Sequence, residues 1–224
     1  MCPEREPLVI EIGPGKGALT AHLLERAERV VAIEIDPLLV ERLNERFRGE
    51  DRLRVVAGDV LETDLAQWGP AAVAGNLPYY ITSPIIERLL AQHRIFKRAV
   101  LLVQAEVARR LASVSGTRDY GYLTVATRLF CEPEILFRVP STAFHPPPKV
   151  ESAAVRLKMH DPGVESPRRF LEFVGQCFRH KRKTIRNNLA GIYGKDVIDA
   201  WPEAPMRAEQ LSLEQLAGMY RRLG

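Results

Sequence analysis

The chain has 224 residues, 46% of them hydrophobic, and a formal net charge of +4, which allows one sizeable core and a small appended unit. No apolar run reaches the roughly 18 residues of a membrane-spanning helix, and residues 1–7 have neither the apolar centre nor the length of a signal peptide. Cys2, Cys131 and Cys177 are odd in number and widely spaced, so they form neither a metal pattern nor a disulfide framework, and a reducing cytoplasm fits best.

Along the first half, short apolar runs alternate with amphipathic segments. Residues 8–12, 30–33, 53–56, 71–74 and 100–103 read as strands, and their near-continuous hydrophobicity suits a parallel sheet covered on both faces. Residues 18–27 place Leu19, Leu23, Leu24 and Ala27 on one helical face, and 38–47 do the same with Leu39, Leu43 and Phe47. Another helix begins at Ile85. This alternation predicts an α/β class: a doubly wound, Rossmann-like sheet with right-handed crossovers. The rhythm then changes. Residues 113–120 read as an exposed polar loop and 123–130 as a helix, while 135–139 and 153–157 pair as an antiparallel hairpin at the sheet edge. Residues 161–166 read as a linker. The expected division is therefore 1–160 as the sheet domain and 161–224 as a small helical domain.

"IEIGPGKGALT" is a strand, a tight glycine turn and a helix. Glycine is needed where backbone turns sharply or a ligand presses against it. Glu34 ends the second strand, where Rossmann-like sites hold ribose hydroxyls. The spacing Gly13-x-Gly15-x-x-Ala18 also satisfies the dinucleotide pattern, so a nicotinamide dehydrogenase is a rival. Asp59, after the third strand in "VVAGDVLETDL", tips the balance: an acid there can accept from an adenine amino group while Glu34 takes two ribose hydroxyls. Nothing in that pair is aimed at a pyrophosphate, so it suits an adenosyl ligand such as S-adenosylmethionine.

"AGNLPYYITSPII" follows the fourth strand at the same ligand-binding edge. Pro78 fixes its own φ and biases Leu77 away from helix, so the local carbonyls are held in place. The Asn76 amide oxygen and those carbonyls are acceptors, and the Tyr79 ring offers a stacking face. A planar base with an exocyclic amine matches this set. An adenine N6 lone pair is delocalised and weakly nucleophilic; hydrogen bonds from N6–H to fixed acceptors favour a more tetrahedral nitrogen, and positioning does the rest. The plain alternative is a proline turn whose Asn satisfies local backbone.

The segments "EIGPGKGALT", "AIEID", "AGDVLETDL", "GNLPYYITSPII", "DYGYLTV", "FHPPPKVESAAVRL" and "RHKRKTIRNNL" stand in the order found in KsgA/RsmA-type ribosomal RNA adenine N6-dimethyltransferases, which the chain resembles over residues 8–223. The resemblance implies a class I methyltransferase fold and S-adenosylmethionine as donor, with no metal. It implies dimethylation of two adjacent adenines near the 3′ end of small-subunit (16S) ribosomal RNA. The small ribosomal subunit would then be the partner, and the protein a cytoplasmic monomer without membrane attachment. It implies that Gly13 and Gly15 line the donor's path, Glu34 holds the ribose and Asp59 the adenine amine. Glu11, Ile35, Val60 and Asn76 are counted with that donor site. Asn76, Leu77, Pro78 and Tyr79 form the target-base pocket, and Phe144, in the stiff loop "FHPPPKV", stacks opposite Tyr79. Family members carry a Gln-x-Phe-Leu segment ahead of the first strand; this sequence reaches Leu8 from Met1 without it, and a chain lacking that cover is the expectation.

"FRHKRKTIRNNL" sets Arg179, Lys181, Arg182, Lys183 and Arg186 within what reads as two helical turns, with no acid among them. A solvated helix face is the plain explanation. On the family resemblance the run grips phosphates of ribosomal RNA, giving position without sequence. Arg109, Arg110, Lys97 and Arg98 are candidates to extend it. Two rivals remain: the large-subunit adenine dimethyltransferase of macrolide resistance, and a non-catalytic ribosome-assembly factor that binds RNA.

Overall fold

A computed structural model describes residues 5–223. Cys2, and the chain opening on which the expected absence of a leading segment turned, lie outside them. Two compact units divide the chain. One runs to Ala108 and resumes over Cys131–His160; the other joins Arg109–Phe130 to the chain from Asp161 onward.

The first unit is built on a seven-stranded sheet. Its strands are β1 (Val9–Ile12), β2 (Val30–Glu34), β3 (Leu53–Ala57), β4 (Ala71–Asn76), β5 (Phe96–Gln104), β6 (Cys131–Val139) and β7 (Ser152–Met159), in the order β3-β2-β1-β4-β5-β7-β6. β1 to β5 are mutually parallel; β7 runs antiparallel to β5, and β6 antiparallel to β7. The long apolar runs are explained by burial: every residue of β1 and β2 is buried, as strands covered on both faces require. Helices α1 (Ala18–Arg26), α2 (Pro37–Arg46) and α3 (Thr82–Ala91) are the crossovers. α2 starts where it should: Asp36 Oδ1 accepts from Leu38 N at 2.9 Å, and Pro37 stands in the first turn.

This topology fixes where a ligand can bind. The parallel strands all end at one edge, and the order reverses between β1 and β4, which opens a crevice there. β7 runs the other way, so its first residues reach that same edge, and the proline loop leading into it starts from the end of β6.

The apolar face expected for α1 holds at Leu24 and Ala27, which are buried, and at Leu23, which packs against them. Leu19 alone departs from it, at 37% exposed, while Thr20 faces inward. The Thr20 hydroxyl finds its partner there, donating to buried Glu11 Oε2 at 2.6 Å.

The second unit is helical: α4 (Ala105–Ala112) leads into it from β5, and α5 (Tyr122–Phe130), α6 (Pro167–Cys177), α7 (Ile185–Tyr193), α8 (Lys195–Asp199) and α9 (Leu213–Arg221) follow. Phe170, Phe173, Val174, Ile185, Leu189, Leu216 and Met219 are buried in it, with the Phe170 and Tyr220 rings edge-to-face at 5.6 Å. Tyr120 corrects the expectation of an exposed loop over 113–120: it is 2% exposed and lies 6.0 Å from the Phe178 ring. Its aromatic area is buried while the polar residues before it stay outside. Among the described residues no helix is long and apolar enough to cross a membrane.

Gly17 holds the glycine turn against α2. It caps α1 at φ +80°, and a Cβ there would lie 2.6 Å from the Phe47 ring and 2.9 Å from Leu43. Left-handed backbone and a filled site both exclude a side chain. Gly17→Ala is therefore expected to lower unfolding free energy by about 2–4 kcal/mol, read as a reduced urea midpoint; an unchanged midpoint would show that the turn yields freely.

Candidate active site

At the carboxyl edge of β1, β2 and β3 lies a cavity of about 320 Å³. Gly13, Gly15, Glu34, Ile35, Asp59, Val60 and Pro78 line it, together with Ile12, Ile33, Gly58, Leu61, Tyr80, Ile81 and Ile85. Two acids stand on its wall. Glu34 is buried, and each carboxylate oxygen accepts one backbone N–H: Oε2 from Gly15 at 3.0 Å and Oε1 from Asp36 at 3.1 Å. Its carbonyl accepts from Gly58 N at 2.9 Å, which draws the end of β3 alongside. Asp59 Oδ1 accepts from Leu61 N at 2.8 Å.

These bonds orient the acids without exhausting them, since an ionised carboxylate has about four acceptor sites. Gly13 and Gly15 adopt φ +65° and +58°, so the loop's backbone forms the floor beside Glu34 with no side chains raised on it. Apolar walls, two oriented acids and a bare backbone floor fit an adenosyl group: hydroxyls at Glu34, an exocyclic amine at Asp59, and a flat body against Ile35 and Val60. Ile35 is 65% exposed although it is a large aliphatic residue, a cost that a ligand face would relieve.

Glu11 stands apart from the cavity wall. It is 1% exposed, and the Thr20 hydroxyl is its side-chain partner. Burial pushes its carboxyl up to about 7; the Thr20 bond works against that rise, and the Glu34 charge adds to it.

At the end of β4, Asn76 is exposed, and no described residue hydrogen-bonds its side chain. Leu77 is buried, with its N–H donated to Leu102 O at 3.0 Å. Pro78, at φ −59° and ψ 131°, places its carbonyl under Ile81 N (3.2 Å) and the Thr82 hydroxyl (3.0 Å). Of the backbone acceptors expected here, that of Pro78 is thus occupied by the helix start, while the Leu77 carbonyl accepts from no described donor. Tyr79 is half-buried, its hydroxyl 2.7 Å from Ser152 Oγ; Tyr80 is 84% exposed and lines the cavity. Phe144 is half-buried in the loop between β6 and β7, just after a short 3-10 turn over Ser141–Ala143.

The basic run is not helical, which corrects the expected two-turn helix. α6 closes at Phe178, and α7 starts afresh after Thr184, whose hydroxyl accepts from Asn187 N at 3.4 Å. The cations before Thr184 fall on the turn between. Thr184 is a strong N-cap type, a local signal visible in the sequence that the charge pattern obscured. Buried Asn188 staples the turn by donating to Cys177 O at 2.9 Å and His180 O at 3.3 Å. Lys181 donates to Arg118 O at 2.6 Å and lies 3.7 Å from Glu209. Arg186, on α7, grips Asp199 through two 2.7 Å contacts. Arg179, Arg182 and Lys183 are exposed and have no carboxylate partner among the described residues. Arg98 pairs with Glu6, and Arg109 lies 3.6 Å from Asp119.

Residues 3–223 match the family model described as ribosomal RNA adenine dimethylase. A protein of Acidobacterium capsulatum named Ribosomal RNA small subunit methyltransferase A is 45% identical, over 96% of this chain and 81% of that protein. Among solved structures, a dimethyladenosine transferase from Plasmodium falciparum superposes with a TM-score of 0.79 at 29% identity, over 99% of this chain and 92% of that one. The 23S rRNA methyltransferase ErmE gives 0.72 at 32% identity, over 96% of this chain and 92% of its own.

The buried acid beside the glycine turn has a measurable signature. From pH 4.5, the ordinary value, to about 7, native Glu11 keeps a proton that the unfolded chain has released. Stability therefore falls as pH rises through that window, by on the order of 3 kcal/mol from this group at 1.36 kcal/mol per unit. Glu11→Gln is expected to remove that slope and to be the more stable form above pH 7, measured by denaturant titration across pH. Identical pH profiles for the two proteins would contradict the buried, proton-holding state.

Proposed function

The chain belongs to the ribosomal RNA adenine dimethylase family, and from that premise we propose how it acts: S-adenosylmethionine-dependent N6-dimethylation of two adjacent adenines near the 3′ end of small-subunit ribosomal RNA during ribosome assembly, with Asn76 and Leu77 holding the reacting amine. The observation that carries this is the pair of uncommitted acceptors at the end of β4, beside a cavity whose two acids suit an adenosyl group. The 45% identity to a protein bearing the small-subunit name, against 32% to the 23S enzyme, favours the small subunit as target. Ribosome assembly places its work in the cytoplasm, a compartment in which buried, unbridged Cys131 and Cys177 are at home. A monomer suffices, since one chain supplies every residue invoked.

Glu34 takes the donor's ribose hydroxyls, Asp59 its adenine amine, and Ile35 and Val60 the faces of its base. Bound S-adenosylmethionine supplies an electrophilic methyl group on a sulfonium. This chain's own part is to prepare the nucleophile. The Asn76 amide oxygen and the Leu77 carbonyl accept the two N6–H bonds, which draws the nitrogen from planar towards tetrahedral and frees its lone pair from the ring. Both acceptors lie where positive charge develops on nitrogen, so they stabilise the transition state more than the ground state. The nitrogen gives up one proton to solvent for each methyl gained. Tyr79 and Phe144 receive the unstacked base, offsetting part of the cost of withdrawing it from the RNA.

Arg179, Arg182 and Lys183 bind the phosphates, on a turn held by Asn188 and Lys181. Lys181 and Arg186 are already paired within the protein, and breaking those pairs offsets what a phosphate would give.

Asn76→Ala is expected to abolish methyl incorporation into unmethylated small subunits while the thermal transition stays in place. A folded variant with normal turnover would sink the assignment of the amine-holding role. Replacing Arg179, Arg182 and Lys183 together by Met should weaken subunit binding and flatten log K against log salt by about 0.7–0.9 for each phosphate no longer neutralised. An unchanged slope would mean that the turn is only a solvated surface.

A further inference from the structure

Tyr79 needs something to hold its ring. It opens a three-residue 3-10 turn, Tyr79–Ile81, whose N-cap makes no side-chain bond, and its neighbour Tyr80 is 84% exposed. The turn itself therefore gives the ring little lateral support. What reaches it is Ser152, 73 residues along the chain, whose Oγ lies 2.7 Å from the Tyr79 hydroxyl. Ser152 is the first residue of β7 and is fully buried. A buried hydroxyl needs a partner, and Tyr79 is the partner its side chain has.

The topology explains how a residue so distant arrives there. β4 pairs in parallel with β5, setting Asn76 opposite Leu102. β7 is antiparallel to β5, setting Ser152 opposite Gln104. Ser152 therefore stands at the same sheet edge as Asn76. The reversed strand carries a rigid hydroxyl into the site from the sheet rather than from a loop.

We infer that Ser152 is a positioning residue for methyl transfer: its hydroxyl holds the Tyr79 ring in the place that receives the target adenine. This rests on the role proposed above for Tyr79. A ring tethered at its para oxygen cannot swing away about χ1, so its axis keeps one place at the end of β4 and the amine of a base stacked on it is presented at a constant distance from Asn76. Without the tether the ring swings to other positions, and only a fraction of encounters is productive. The loss falls on turnover, and the donor site, formed by other residues, is unaffected.

The test is a double-mutant cycle on methyl incorporation into small subunits lacking the dimethyladenines, using the full chain as wild type, Ser152→Ala, Tyr79→Phe, the double variant and Tyr79→Ala. Ser152→Ala and Tyr79→Phe are each expected to lower kcat by about tenfold, the size of one hydrogen bond's contribution, with donor Kd unchanged. In the Tyr79→Phe background Ser152→Ala should then cost less than about twofold. Losses that multiply, or a Ser152→Ala enzyme with wild-type kcat beside an inactive Tyr79→Ala, would overturn the tether while leaving the stacking role intact. A fully active Tyr79→Ala would instead remove the stacking role, and the tether with it. Tyr79→Phe breaks the same bond without touching the sheet, so a normal kcat there overturns the inference even if Ser152→Ala folds poorly.

Discussion

The two backbone N–H groups donated to Glu34 organise the cavity at the ends of β1, β2 and β3. Gly15 lies in the glycine turn after β1, and Asp36 begins α2 after β2; both donate to one buried carboxylate. A carboxyl group at that depth is tolerated because its oxygens are hydrogen-bonded. In return it fixes the loop whose backbone makes the cavity floor. Gly17 sits against Phe47 and Leu43 on the far side of the same turn, and the Glu34 carbonyl holds Gly58 next to Asp59. Three strand ends are thus locked together around one residue, through its side chain and its carbonyl, and the cavity is what remains between them.

A second constraint shapes the end of β4. Parallel strands deliver only their last residues to the ligand edge, which gives Glu34, Asp59 and Asn76. Reversing β7 delivers first residues as well, so Ser152 and the proline loop with Phe144 belong to the same edge. The end of β4 is then braced from two directions: Leu77 N–H is tied to Leu102 O on β5, and Tyr79 is tied to Ser152 on β7. Asn76, between a buried leucine and the glycine turn, is left with an amide that no described residue engages.

Much of this was legible in the sequence because the signals are local. Continuous apolar runs marked the parallel strands, since burial on both faces leaves no alternation. Acids and an amide just beyond those runs marked the ligand edge, because topology places every strand end there. What stayed hidden depends on contacts across the chain. Apolar spacing placed Leu23, Leu24 and Ala27 correctly on the inner face of α1, but it put Leu19 there too and gave no sign that Thr20 would turn inward to bond Glu11. Tyr120 sits in a polar stretch but is drawn inward by Phe178. The basic run gave no hint that Lys181 and Arg186 would be consumed by partners at Arg118, Glu209 and Asp199, and Ser152 lay just ahead of the expected strand with nothing local to mark its distant partner. Gly17 was visible, but the need for it came from Phe47 at the far end of α2.

The most direct test is transfer of labelled methyl from S-adenosylmethionine to small ribosomal subunits that lack the dimethyladenines, with this chain as the sole enzyme and the product mapped by nucleoside analysis. The account predicts incorporation confined to N6 of two adjacent adenines near the 3′ end of the small-subunit RNA, approaching two methyl groups on each. Incorporation at another atom, or into large-subunit RNA instead, would contradict it.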